Sequence, residues 1–136
     1  MIRRTNPAGM HQPPGYHHVT EVQPGVTIHL AGQCPLDADG KLVGGQDLAG
    51  QAEQVARNIV AALASVHATV HDVIRATIYV VTPSRDELVT VWRALRGSVA
   101  AEAFGGAATL LGVTQLGFEG QRIEVDITAA LPQRAG

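Results

Sequence analysis

Between Asp47 and Val81 the chain switches from a helical to a strand-like hydrophobic period. Leu48, Ala52, Val55, Ile59, Leu63 and Val66 recur every three or four residues, with Gln51, Glu53, Gln54, Arg57 and Asn58 mostly between them. That spacing predicts an amphipathic helix of about twenty residues, from Asp47 to near His67. The run that follows, VIRATIYVV from Val73 to Val81, is rich in β-branched residues and stops at Thr82–Pro83, which reads as a strand ended before a proline. A helix with one apolar stripe beside a strand this apolar must bury both against each other, so the chain is restricted to helix-on-sheet layers.

The switch then repeats. SRDE, Ser84 to Glu87, has the form of a capping box, and Leu88, Val91, Leu95 and Val99 give the second helix its buried stripe. ATLLGVTQL and RIEVDITAAL follow as two strand-like runs joined through Gly117 and Gly120. Upstream, VTIHLAG from Val26 to Gly32 reads as a strand entered through Pro24–Gly25, and Asp37 to Leu42 as a polar turn centred on Asp39–Gly40. Asn6 to His18, dense in Pro and Gly, is expected to be irregular. The order strand, strand, helix, strand, helix, strand, strand predicts an α+β fold, a mixed sheet with two long helices on one face. With no repeat and no interior linker, residues 1–136 read as a single domain.

Composition narrows what covers the other face. Of 136 residues 46% are hydrophobic, only 16% charged and 4% aromatic, so the core is built from Ala, Val, Leu and Ile. A small monomer normally needs more surface charge, and self-association through the uncovered face is the expectation. A net charge of −2 and a pI near 6.3 leave no electrostatic footprint for nucleic acid or an anionic membrane. Arg3–Arg4 has no apolar run behind it, and no stretch approaches the roughly 20 residues that span a bilayer. The lone Cys34 has no internal disulfide partner, which points to a reducing cytoplasm.

Candidate chemistry is sparse. Glu124 and Asp126 alternate with Ile123, Val125 and Ile127, so the two carboxylates share one strand face, where such a pair either raises one pKa toward general-base use or forms a solvated or ion-paired face with Arg122. Cys34 reads either as a nucleophile or as an inert buried thiol. Tyr16, after Pro13–Pro14–Gly15, sits on a stiff loop and serves either a site or a sheet edge. Six histidines, including His17–His18, His29 and the pair His67 and His71, do not complete a metal-ligand set, so no metal and no cofactor is expected. Gly44–Gly45 and Gly105–Gly106 lack the endings of phosphate-binding loops and read as turns. The run from Ala103 to Phe118 carries no ionisable side chain and four glycines, as either plain core or the wall of an uncharged pocket.

Four strings carry a family resemblance. GQCPLDADGKLVGG resembles the Gly-Gln-x-Pro-x-Asp signature of the Rid family, also called YjgF or L-PSP endoribonuclease-like. GYHHV at Gly15 to Val19 is similar to its Gly-Pro-Tyr-Ser loop, TIYVV at Thr77 to the strand after its first helix, and GVTQLGFEGQRIEVDITA to its closing hairpin. The resemblance implies a chorismate-mutase-like fold, a homotrimer with clefts between subunits, and hydrolysis of reactive enamines or imines to keto acids and ammonia. It places Tyr16 and Asp126 as catalytic residues, and Gly32, Gln33, Cys34, Trp92, Ala108 and Glu124 as ligand-binding positions. The family arginine that grips a substrate carboxylate falls on Ala108. A charge-assisted hydrogen bond contributes about 1.5–3 kcal/mol, so a deaminase of small acidic imines needs another arginine here, with Arg122, Arg75 and Arg96 as candidates. The alternative is a binding or regulatory protein of the same fold for a small, mostly neutral metabolite.

Overall fold

Helix α1 spans Leu48–Ala64 and begins where Asp47, in extended geometry, accepts from the Gly50 amide. In the computed structural model, which describes residues 1–23 and 25–132, α1 packs beside a second helix, α2 (Arg85–Arg96). The sheet order is β3 (Gly25–His29), β6 (Ile123–Pro132), β4 (Val73–Val81), β5 (Ala107–Val113). Strand β6 runs antiparallel to both neighbours, while β4 and β5 are parallel, and α2 is the crossover that a parallel pair requires. A separate antiparallel pair, β1 (Ile2–Thr5) and β2 (Val19–Val22), stands outside this sheet.

The period-two pattern decides the faces. Ala76, Ile78 and Val80 of β4 and Ile123, Val125 and Ile127 of β6 point into one core with Val55, Ile59 and Leu63 of α1 and Val91 and Leu95 of α2. The registers Thr77↔Asp126, Tyr79↔Glu124 and Thr77↔Thr109 put the alternate set on the opposite face. There Thr77, Tyr79, Leu111, Val113, Glu124 and Asp126 are half-buried, with no helix over them among the described residues.

The sequence expectations meet several corrections. The runs around β5 and β6 do not form a closing hairpin: they flank β4 on opposite sides, and residues 114–122 carry the chain over its end. The strand expected from Val26 to Gly32 ends at His29, because Leu30 and Gln33 leave the β3 register to bond Ile127 and Val125 individually. The Asp39–Gly40 turn is closed by a bridge between Leu36 and Leu42. Helix α1 stops at Ala64, short of His67, whose φ of 62° is incompatible with a right-handed helix. The Arg3–Arg4 segment, to which the sequence assigns no element, is strand β1. Pro24, where a turn into β3 was expected, lies outside the described residues. The Ser84 box is half formed: Ser84 accepts from the Glu87 amide, but the Glu87 carboxylate turns to Thr82 and Arg122. Gln51, expected on the polar side of α1, is fully buried. Its amide donates to the carbonyls of Gly45 and Gly120 at 2.6 and 2.9 Å and its oxygen accepts from the Arg122 amide at 2.8 Å, so one side chain pins two loops to the helix.

Candidate functional site

The expected site residues divide into two groups on opposite faces of the sheet. The first lies at the exposed edge of β5, against α2 and the loop before β2. Pro14, Tyr16, Val89, Trp92, Ala108 and Leu110 line a cavity of about 480 Å³, with Arg93 and Thr109 also in its lining. The proline-rich loop fixes the rings. The Trp92 indole donates to the Pro14 carbonyl at 3.1 Å, and Tyr16 shares a hydrogen bond of 2.9 Å with His11. Tyr16 meets Trp92 edge-on at 6.5 Å, and Trp92 meets the buried Phe104 at 6.3 Å, arrangements that aromatic quadrupoles favour. The glycine-broken run is therefore a pocket wall along Ala108 to Leu110, with Phe104 in the core behind it.

The second group lies on the open face. The signature segment is tied to β6 by reciprocal bonds of Gln33 with Val125, at 2.8 and 3.0 Å, and to α1 by Asn58, which donates to the carbonyls of Cys34 and Leu36, both at 2.9 Å. This brings Gly32 against the two carboxylates. A Cβ on residue 32 would press on the Glu124 carboxylate and stand 3.1 Å from Asp126 Oδ1, so a side chain there would have to displace Glu124. Glu124 accepts from the Cys34 thiol and from Gln121, each at 3.2 Å, and Asp126 accepts from the Tyr79 hydroxyl at 3.0 Å. The Gln33 side chain turns back to the Ala31 carbonyl.

Electrostatics give Cys34 no nucleophilic character. Burial first, and the hydrogen bond and charge of Glu124 next, push its thiol up to about 11, whereas a reactive cysteine is held low by cations. The phenol of Tyr79 is raised, chiefly by donating to Asp126. Arg122 does not pair with Glu124 or Asp126. It donates to Glu87 at 2.9 Å and to the Val81 carbonyl at 3.1 Å.

The structure thus unites Tyr16, Trp92 and Ala108 in one place and Gly32, Cys34, Glu124 and Asp126 in another. Asp126 stands two strands from β5, about 10 Å at the usual spacing, and faces away from Ala108, so Tyr16 and Asp126 do not meet within one chain. Of the three candidate arginines, Arg75 donates to Thr109 on the open face and Arg96 to the Ala101 carbonyl; neither lines the apolar cavity, and Arg122 is occupied. Sequence reasoning missed Tyr79 and Arg93. The alternation of TIYVV was a signal for the first, and the i, i+3, i+4 spacing of Val89, Trp92 and Arg93 for the second.

The family model described as Endoribonuclease L-PSP matches residues 10–131. The chain belongs to this family. A Rid-family protein of unknown function, YyfB from Yersinia pestis, is 36% identical, with a TM-score of 0.85 over 96% of this chain and 98% of that one. NMB1025, a YjgF-family protein from Neisseria meningitidis, is 23% identical with a TM-score of 0.62, covering 100% and 98% of the two chains. RidA from the Antarctic bacterium Psychrobacter is 19% identical with a TM-score of 0.65, covering 94% of each. These last two show the common fold. No curated protein matches the sequence. Among the described residues of this Rid-family chain, no helix is long and apolar enough to cross a membrane.

Proposed function

We propose that the protein is a small-metabolite hydrolase of the imine or enamine type, selective for substrates with an apolar substituent, acting as a homotrimer in clefts completed between subunits. The observation that carries this reading is the cavity at the β5 edge. Where relatives with deaminase chemistry place a carboxylate-gripping guanidinium, this chain has the methyl group of Ala108, between the rings of Tyr16 and Trp92 and the side chain of Leu110. Such a pocket rewards burial of apolar surface by about 25 cal/mol per Å². Arg93, the one cation in its lining, has no hydrogen bond or ion pair from its side chain among the described residues and is placed to meet a carboxylate on the same substrate. The subunit boundary enters because Tyr16 and Asp126 reach a common substrate only if different chains supply them. The net charge of −2 speaks against carrying over the ribonuclease in the family's description.

A second reading, binding without turnover, draws on the pairing of Asp126 with Tyr79 and Glu124 with Cys34, which leaves neither carboxylate idle. One experiment separates the two. Loss of freshly generated imines derived from phenylalanine, alanine and benzylamine is followed by absorbance for the native protein, Ala108→Arg and Arg93→Gln. The hydrolase reading expects the phenylalanine imine to be turned over faster than the alanine imine, and Ala108→Arg to reverse that order. Arg93→Gln is expected to raise KM about tenfold or more for the two carboxylate-bearing imines, the worth of one charge-assisted hydrogen bond, and to spare the benzylamine imine. Saturable binding with no turnover of any of the three establishes the second reading.

A further inference from the structure

On the other side of the Pro14–Tyr16 turn lies a separate cavity of about 280 Å³ whose character is opposite to that of the apolar pocket. Arg4 reaches it from β1, Arg96 from α2, His17 from the loop before β2, and His71 from the short 3₁₀ turn Val70–Asp72. Glu102 is the one carboxylate in its lining, so two guanidinium charges stand against one negative charge before either imidazole is protonated. Gly15 and Gly105 form the remaining wall, and present backbone where side chains would fill the space.

The two arginines are oriented but not neutralised. Arg4 donates through Nη2 to the carbonyls of His71 and Val73, at 3.1 and 2.9 Å, and Arg96 through Nη1 to the carbonyl of Ala101 at 3.1 Å. Neither belongs to an ion pair among the described residues. Arg4 Nε is buried with no acceptor at all, packed so closely on the backbone that a Cβ on Gly106 would stand 3.1 Å from it. Carbonyl dipoles hold a guanidinium in place without cancelling its charge, which is left to the cavity through the remaining nitrogens. The His17 imidazole is fixed by its Nδ1 donating to the Gly105 carbonyl, while the His71 ring has no described hydrogen-bond partner.

We propose that this cavity binds a phosphate-type oxyanion, free or as the head of a small phosphate ester. A guanidinium pairs with such an anion through two parallel hydrogen bonds. Arginines arriving from two different elements suit a tetrahedral group, which offers oxygens in several directions, better than a planar carboxylate, which offers one edge. The volume admits the anion and a short substituent but not a nucleotide.

The test uses the whole protein at constant ionic strength, with chloride replaced by inorganic phosphate, glycerol phosphate or acetate, and reads binding by calorimetry alongside the shift in Tm. Native protein is expected to bind phosphate or its ester saturably and acetate at least tenfold more weakly. His71→Glu removes no described side-chain hydrogen bond and therefore keeps the fold; it is expected to weaken phosphate binding at least tenfold, as is Arg96→Gln. Arg57→Gln on α1, with the same change in net charge as His71→Glu, is expected to change nothing. Tighter binding of inorganic phosphate assigns the free ion, and tighter binding of glycerol phosphate assigns an esterified metabolite. Absence of saturable phosphate binding, acetate binding equal to phosphate, or unchanged binding in His71→Glu and Arg96→Gln overturns the proposal.

Discussion

At Gly32 the signature loop lies against two carboxylates, and two residues on, Cys34 donates to one of them. With its thiol held near 11, about one molecule in a thousand is thiolate at pH 8, so the native protein is expected to react slowly with thiol reagents. Glu124→Gln removes the acceptor charge but not the burial, which is the larger cause. The thiol pKa is then expected to fall yet stay above the ordinary range, and the rate of labelling at pH 8 to rise severalfold, checked against pH. An unchanged rate would show that burial alone controls the thiol. The shared face of Glu124 and Asp126 was legible in the sequence because strand alternation is a local rule. The company they keep was not. Tyr79 lies 47 positions from Asp126, and only the β4–β6 register makes them neighbours. Ala108 and Trp92 could be assigned to a cleft by resemblance, whereas Arg93, one residue further along α2, was marked only by its spacing from Val89 and Trp92.

Among the elements, both helices and the central strands β4 and β6 declared themselves through hydrophobic period, although Val66 and Val99, expected in the buried stripes, lie beyond the ends of α1 and α2 and are exposed. Strands β1 and β2 did not, since each has only four residues, too few to show a period, and three of the four in β2 are exposed. The β5–β6 connection was misread as a hairpin because proximity in sequence favours pairing with the next strand, while the parallel pairing of β5 with β4 depends on where α2 crosses. Gln51 likewise looked like a surface residue, although the loops it holds come from positions 45 and 120. Gln51→Leu is expected to destabilise the protein by about 2–4 kcal/mol, since it leaves two carbonyls and an amide unpaired under the helix; urea unfolding measures it. The start of α2 carries a pH signature. Glu87 is held below its ordinary value of 4.5 by the Thr82 hydroxyl first and Arg122 second. A carboxyl depressed in the folded state stabilises above its unfolded value, and that contribution is lost as pH falls through the folded one. Denaturation midpoints measured from pH 7 to pH 3 should therefore fall below about pH 4.5, and Glu87→Gln should flatten that part of the acid slope while lowering the midpoint at pH 7.

For the whole molecule, the face bearing Thr77, Tyr79, Leu111 and Val113 is the surface on which the proposed trimer depends. Leu111→Glu, on the β5 edge strand and outside the core, is expected to convert a trimer to monomers by sedimentation without loss of helical signal; a native protein that sediments as a monomer would remove the subunit boundary from the functional proposal. The α+β layering was legible because the alternation of helical and strand periods admits few arrangements. The strand order was not, because it is set by pairings between remote segments. That order also bears on how the protein comes into being. Strand β6 follows β3, β4 and β5 in the chain yet lies between β3 and β4 in the sheet, joining Gly25 to Pro132 and Val80 to Ile123. During synthesis, at about 5–20 residues per second, β3 waits for a partner more than ninety positions away, and a ribosome that stalls before Ile123 holds a chain with two unmatched strand edges. Nascent copies of this protein are therefore natural clients for whatever shields strands at the exit tunnel until the final strand slides into the gap kept for it.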